Sequence, residues 1–324
     1  MAWVYKFTMS VRPDFDDDDL TYVTQLGLKY IYTSIPGGDY SRKTLKGMID
    51  RAASHGVSVS SIFGFTKPFD VFLNLPTRDE TMKKSEEYLH VIADLGIKTH
   101  TMTWEPDQVW STNHEGSARG AQTRFTDMNE LVTRPLTHGR VYSREEMWDN
   151  FAYYMNKMMP VYEKLGITLT LHPNDPPTDN LLGGCPCLIR GLDDYKKAFE
   201  IAGSKSLGME FCCGCWLEGR SEHMGDVVED LSYCLENDKV KIVHFRNIDQ
   251  PLPVFTEVFL DMGYYDMYKI MRVLCQYDYA GVITLDHSPL MVDGPKRRAP
   301  MAYAIGYMRA LAERAIAETS AAGQ

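Results

Sequence analysis

Residues 143–172 read SREEMWDNFAYYMNKMMPVYEKLGITLTLH, and this stretch decides the fold. Ser143 with Glu146 three positions on is a capping box, so the pattern predicts a helix over Ser143–Leu165. Gly166 is placed to end it, because glycine takes the left-handed conformation that closes a helix without a Cβ clash. The chain then turns at once into Ile167–His172, which has the alternation of a strand.

The same punctuation recurs on both sides. Upstream, Tyr5–Met9, Leu28–Ile35, Val57–Phe63 and Lys98–Trp104 read as strands; Asp17–Leu26, Arg42–Ala53 and Thr77–Leu95 read as helices. Downstream the helices are Leu192–Ala202, Asp226–Leu235, Asp266–Tyr277 and Ala302–Ala317, and the strands Leu207–Cys212, Lys239–Phe245 and Gly281–Asp286. Eight strand–helix alternations predict an α/β protein whose parallel strands close into one (β/α)8 TIM barrel, a single domain over 1–324. An open doubly wound sheet is the alternative. The first strand–helix turn lacks the Gly-rich phosphate fingerprint that such a sheet would carry for a nucleotide.

One stretch breaks the rhythm. Residues 106–142, after the fourth strand, show no regular pattern and are expected to form a lid or active-site insertion. They carry His114, Arg119, Arg124, Arg134, His138 and Arg140. In an acidic chain this is local basic surface suited to a carboxylate-bearing substrate. A solvated contact between subunits is the other reading.

The chain has 324 residues, 44% of them apolar and 24% charged, with a formal net charge of -10. That balance argues against nucleic acid or an anionic membrane as partner, which would need clustered Lys and Arg. The N-terminus MAWVYKFTMS lacks the charged and apolar regions of a signal peptide, no apolar run reaches the ~18 residues of a membrane span, and a cytoplasmic location is expected. In that compartment the seven cysteines stay thiols. The expected partners are a small-molecule substrate and further copies of the chain.

A barrel presents its chemistry at the C-terminal ends of its strands. The last four strands end Leu171-His172, Phe211-Cys212, Val243-His244 and Leu285-Asp286. His172, Cys212, His244 and Asp286 thus fall on one rim and on adjacent strands. Two imidazoles, a thiolate and a carboxylate suit Mn2+, Fe2+, Co2+ or Zn2+, with coordination positions left for substrate. His287 follows the last of these and has the chemistry of a general acid or base. Arg246, two residues past His244, is placed either to clamp a substrate carboxylate or to pair with a carboxylate of the rim. The cysteines allow two other readings: a structural zinc cluster of Cys185, Cys187, Cys212, Cys213 and Cys215, or a nucleophile at Cys213 or Cys215.

The runs LHPNDPP at 171–177, EFCCG at 210–214, HFRN at 244–247, FLDMGYYDMY at 259–268 and LDH at 285–287 resemble the mannonate dehydratase family, in order and spacing, over residues 167–312. The resemblance implies a metal-dependent lyase, usually using Mn2+, that converts D-mannonate to 2-keto-3-deoxygluconate. It implies His172, Cys212, His244 and Asp286 as metal ligands, His287 as acid/base, and Arg246 and Asn247 near substrate. Asp175, in the first run, and Arg124, in the insertion, are added to the expected substrate contacts. The chain departs from the family at Tyr5-Lys6-Phe7, where an aromatic-Arg-aromatic signature is usual, at Thr256 in place of a His, and at Ala302 in place of an acid/base Tyr. For the second proton group, Tyr303, Glu257 or a residue of the insertion is expected instead. The leading expectation is loss of water from a sugar acid. A metal-dependent epimerase or isomerase of a sugar or uronic acid, and a non-catalytic sugar-binding barrel, are the alternatives.

Overall fold

The computed structural model describes residues 3–107, 109–220, 222–292 and 297–322. Eight parallel strands form the barrel: β1 (Lys6–Ser10), β2 (Tyr30–Ser34), β3 (Ser58–Phe63), β4 (Thr99–Thr103), β7 (Thr168–His172), β8 (Leu207–Cys212), β9 (Val240–Phe245) and β12 (Val282–Leu285). Their order is β3-β2-β1-β12-β9-β8-β7-β4. The β3–β4 seam has no strand ladder; it is closed by His100 Nε2 on the Gly64 carbonyl at 2.7 Å and by the Thr103 amide donating to the Thr66 carbonyl.

The helices are α1 (Asp17–Gln25), α2 (Arg42–Ser54), α3 (Phe69–Phe72), α4 (Arg78–Asp94), α5 (Met128–Leu131), α6 (Arg144–Leu165), α7 (Leu192–Ala202), α8 (Cys213–Gly219), α9 (Val227–Glu236), α10 (Met267–Gln276) and α11 (Arg298–Ala322). The capping box of α6 is formed on both sides, and Gly166 ends the helix at φ 63°. The final helix begins at Arg298 rather than Ala302 and runs on through the small-residue tail. Pro300 sits in its first turn, where a missing N–H has no intrahelical partner to lose. None of the described helices is long and apolar enough to cross a membrane.

The largest departure from the expectation lies in 106–142. This stretch is not irregular: it folds into a hairpin, β5 (Asn113–Ala118) and β6 (Ala121–Asp127), followed by α5. A second hairpin, β10 (Asn247–Ile248) and β11 (Val254–Val258), leaves the end of β9 and pairs with it. Together they make a four-stranded antiparallel sheet in the order β10-β11-β6-β5. Strands contributed by two barrel loops thereby form one sheet beyond the C-terminal ends of the barrel strands.

Candidate metal centre

His172, Cys212, His244 and Asp286 converge. The ligand atoms of Cys212, His244 and Asp286 lie within 4.8 Å of one another, and Cys212 also groups with His172 in the same way. Cys212 Sγ is 3.8 Å from Asp286 Oδ2, and His244 Nδ1 is 3.6 Å from Asp286 Oδ1. The His172 and His244 rings are 5.2 Å apart, centroid to centroid. His172 Nδ1 lies 2.6 Å from the Pro173 carbonyl. A carbonyl only accepts, so Nδ1 carries the proton and Nε2 keeps its lone pair for a ligand.

Cys212 is the N-cap of α8, and its sulfur accepts from the Cys215 amide at 3.4 Å. Burial alone would raise its thiol. The contact with Cys215, the Arg246 charge and the two imidazoles instead hold it well below the usual range, which favours the thiolate.

These residues fit a divalent cation. Nδ1 and Nε2 of His244 and both carboxylate oxygens of Glu210 are buried without a hydrogen bond of ordinary geometry. Glu210, fully buried on β8, lies against His244 Nε2. Asp175, Glu218, Glu257, Asp286 and the Cys212 sulfur crowd around two guanidiniums, those of Arg124 and Arg246. An ion bound by the four ligands offsets that negative charge and gives the orphaned His244 ring a partner.

The structure reassigns several expected substrate contacts. Arg246 is 1% exposed and faces Asp175 at 3.1 Å, Glu218 at 2.7 Å, Glu257 at 3.2 Å and Asp286 at 2.9 Å. Its two terminal nitrogens are taken by these carboxylates and the side chain does not line the cavity, so it is placed to pair with the rim rather than to clamp a substrate. Gly214 makes this possible, because a Cβ there would lie 2.1 Å from Arg246 Nε. Arg124 is buried likewise, on Asp175 at 2.7 Å and Glu257 at 3.1 Å. Asp175 itself is held by both cations and lines the cavity. Asn247 is turned away from it: its side-chain amide donates to the Leu260 and Tyr265 carbonyls and its oxygen accepts from the Ile248 amide.

The rest of the insertion's basic surface is similarly engaged. Arg119 pairs with Asp261, Arg134 with Glu130, Arg140 with Glu146 and His138 with Asp107. His114 has an exposed side chain.

His287 and Glu257 are brought together. Nδ1 of His287 sits 2.9 Å from Glu257 Oε1, and Glu257 is fixed from behind by Arg124 across the β6–β11 pairing. Burial disfavours the charged ring, but Asp286 and Glu257 outweigh it and push its pKa up to about 9; Glu257 is drawn down to about 2, mainly against burial by the His287 and Arg246 charges. Tyr303 is not part of this group. Ala304, Ile305 and Met308 take the buried face of α11, which turns Tyr303 outward, 39% exposed, onto Asp261 at 2.8 Å. Tyr303→Phe is expected to leave turnover within about twofold of wild type, as for a surface substitution. A steady-state assay reads this, and a loss of two orders of magnitude would return Tyr303 to the chemistry.

Four features were not picked out from the sequence. Glu210 precedes Cys212 by two and so shares its face of the strand, a signal present in the alternation. Tyr32 on β2 lines the cavity with its ring against Phe63, and burial pushes its hydroxyl up to about 12. Lys67 pairs with buried Glu105 in the wall. Arg12, paired with Asp14, and Arg298, paired with Asp19, come from opposite ends of the chain and have no local signature. The cavity they share has a volume of about 970 Å3.

The alternative of a zinc cluster built from the five cysteines is not assembled. Cys212 belongs to the metal centre, Cys187 donates to the Pro176 carbonyl, and the thiols of Cys213 and Cys215 are fully buried and pushed well above their usual range, first by burial, which also removes them as nucleophiles.

Residues 124–320 match the family model described as D-mannonate dehydratase (UxuA). The mannonate dehydratase of Streptococcus agalactiae is 25% identical over 318 residues, spanning 87% of this chain and 90% of that protein. The crystal structure of mannonate dehydratase from Streptococcus suis serotype 2 superposes with a TM-score of 0.87 at 19% identity, covering 98% of this chain and 95% of that one. A structure of L-ribulose 3-epimerase shares the fold at a TM-score of 0.64 and 14% identity, over 99% of each chain.

Proposed function

The chain belongs to the mannonate dehydratase family, and we propose that it is a metal-dependent hydro-lyase removing water from D-mannonate or a closely related aldonic or uronic acid. The observation that carries this reading is the meeting of four ligand side chains, of which His172, His244 and Asp286 line the cavity, with His287 in the same wall and Glu257 behind it.

His172, Cys212, His244 and Asp286 would hold the ion, Mn2+ first, with Fe2+, Co2+ or Zn2+ compatible with the same donors. When bound, it supplies Lewis-acid polarisation of the substrate carboxylate and α-hydroxyl, which acidifies the adjoining C–H. Glu257 accepts from His287 Nδ1 and so aims the opposite ring nitrogen at the reacting carbon. A cation on Asp286 would offset the carboxylate charge that raises the ring's pKa and so free that nitrogen as the base, and Glu257 stabilises the imidazolium formed when it takes the α-proton. Tyr32, whose hydroxyl stays protonated, gives its proton to the β-hydroxyl as the C–O bond breaks. Water leaves, and the resulting enol becomes the 2-keto-3-deoxy acid by taking a proton at the β-carbon. Arg12, Arg298, Asp14 and Asp19 line the outer cavity with alternating charge. That lining suits the distal hydroxyls of a sugar acid, and the insertion of residues 106–142 serves as the lid that keeps bulk water out.

Proton NMR in D2O with D-mannonate and Mn2+ separates the steps. The wild type is expected to form the keto acid with deuterium at its β-carbon. His287→Gln is expected to lose both exchange at the α-carbon and product, by about 10²–10⁴-fold, and Tyr32→Phe to keep α-exchange while losing product on a similar scale. Deuterium appearing at the α-carbon of recovered substrate, with no keto acid formed by the wild type, identifies an epimerase and overturns the dehydration reading.

A further inference from the structure

The insertion carries a second set of metal donors. Asp107 opens the insertion, His138 closes it, and Cys185 stands on the connection between β7 and α7 that also carries Asp175. One carboxylate oxygen, one imidazole nitrogen and the Cys185 sulfur all lie within 4.8 Å of one another. His138 Nε2 is 3.0 Å from Asp107 Oδ1. Donors around a tetrahedral zinc, at its usual bond lengths, stand about 3.3–3.8 Å apart. The observed spread is therefore within a small side-chain adjustment of a coordination sphere.

The surroundings hold these side chains in place. The Phe69 ring stacks on His138 at 6.4 Å and 19°, and Thr137 Oγ1 donates to the second oxygen of Asp107 at 3.0 Å. The Thr137 and Tyr142 amides donate to the Gly183 and Gly184 carbonyls, so the end of the insertion is already laid against the Cys185 turn. Gly184 permits that approach, because a Cβ there would lie 2.8 Å from the Arg140 carbonyl oxygen. Cys185 is buried and Asp107 and His138 are largely so, with side-chain exposures of 17% and 20%. Arg140, the neighbouring cation, is turned to Glu146.

We propose that Asp107, His138 and Cys185 form a zinc site, distinct from the catalytic centre, that staples both ends of the insertion to the β7–α7 connection. Thiolate, imidazole and carboxylate are the donors zinc favours, and the fourth position falls to water. Because Asp107 and His138 bracket the β5–β6 hairpin, one ion closes that loop and fixes its base to the segment behind Asp175. Its role is to hold the lid's foundation rather than to act on substrate.

The test is zinc stoichiometry. Full-length protein is stripped with chelator, loaded with zinc, dialysed against metal-free buffer and measured by atomic emission. Wild type is expected to retain a second equivalent beyond the catalytic one. Cys185→Ser and His138→Ala are each expected to lose one equivalent and keep the other, with His138→Ala serving should the core substitution impair folding. In a Cys212→Ser background, cobalt is expected to keep a thiolate charge-transfer band that adding Cys185→Ser abolishes. Unchanged stoichiometry in folded Cys185→Ser and His138→Ala proteins, or no cobalt–thiolate band once Cys212 is replaced, overturns the site.

Discussion

His172→Ala is expected to remove the catalytic ion and activity together. The substitution deletes an imidazole whose Nδ1 is tied to the Pro173 carbonyl and whose other nitrogen is left for a ligand. Three donors remain, Cys212, His244 and Asp286, but they are crowded by Glu210 and Arg246, and losing one imidazole weakens their hold on the ion. With the ion goes several kcal/mol of stabilisation of the developing negative charge, so turnover should fall by at least about 10³-fold. The measurement is catalytic metal content and turnover on the same sample, with circular dichroism to confirm the fold. Retention of stoichiometric metal at the centre with near-normal turnover would sink the ligand assignment.

Arg246→Leu is expected to be the most damaging single change to stability. Arg246 is completely buried beneath the metal centre and is the shared partner of Asp175, Glu218, Glu257 and Asp286. The shorter, uncharged side chain leaves those carboxylates facing each other with Arg124 and the His287 ring to compensate. Removing one partner of a buried ion pair costs about 3–5 kcal/mol, and here the orphaned groups are several. Denaturant unfolding reads the loss directly. A change below about 1 kcal/mol, the size of a surface ion pair, would show that the network is solvated and that Arg246 is free for substrate after all.

The contrast between these two residues shows what a sequence can carry. His172 was legible because its place follows from local pattern: Gly166 ends a helix, five residues of strand follow, and the barrel rule puts a functional side chain at the strand's end. Cys212, His244 and Asp286 were legible for the same reason. Arg246 was equally visible, but its role depends on Asp175 and Glu218 arriving from elsewhere in the chain, 71 and 28 residues away. Asn247 has the chemistry of a substrate contact, yet its pairing with Val258 in the short β10–β11 ladder turns it inward. Tyr303 was misjudged by helix phase, since α11 starts at Arg298 and its buried face is set by Ala304, Ile305 and Met308. The second sheet escaped because Ala121–Asp127 and Val254–Val258 find each other across more than a hundred residues, and their buried positions include Thr123, Arg124, Thr126 and Glu257, so no apolar alternation announces them.

The central claim is that this cavity, with a divalent ion at His172, Cys212, His244 and Asp286, removes water from a sugar acid. The most direct measurement is formation of 2-keto-3-deoxygluconate from D-mannonate by chelator-stripped protein, before and after addition of Mn2+. Product that appears only with the ion, and is lost again on chelation, is the predicted result. Ion bound at the centre with no keto acid from D-mannonate or from related aldonic and uronic acids would contradict it.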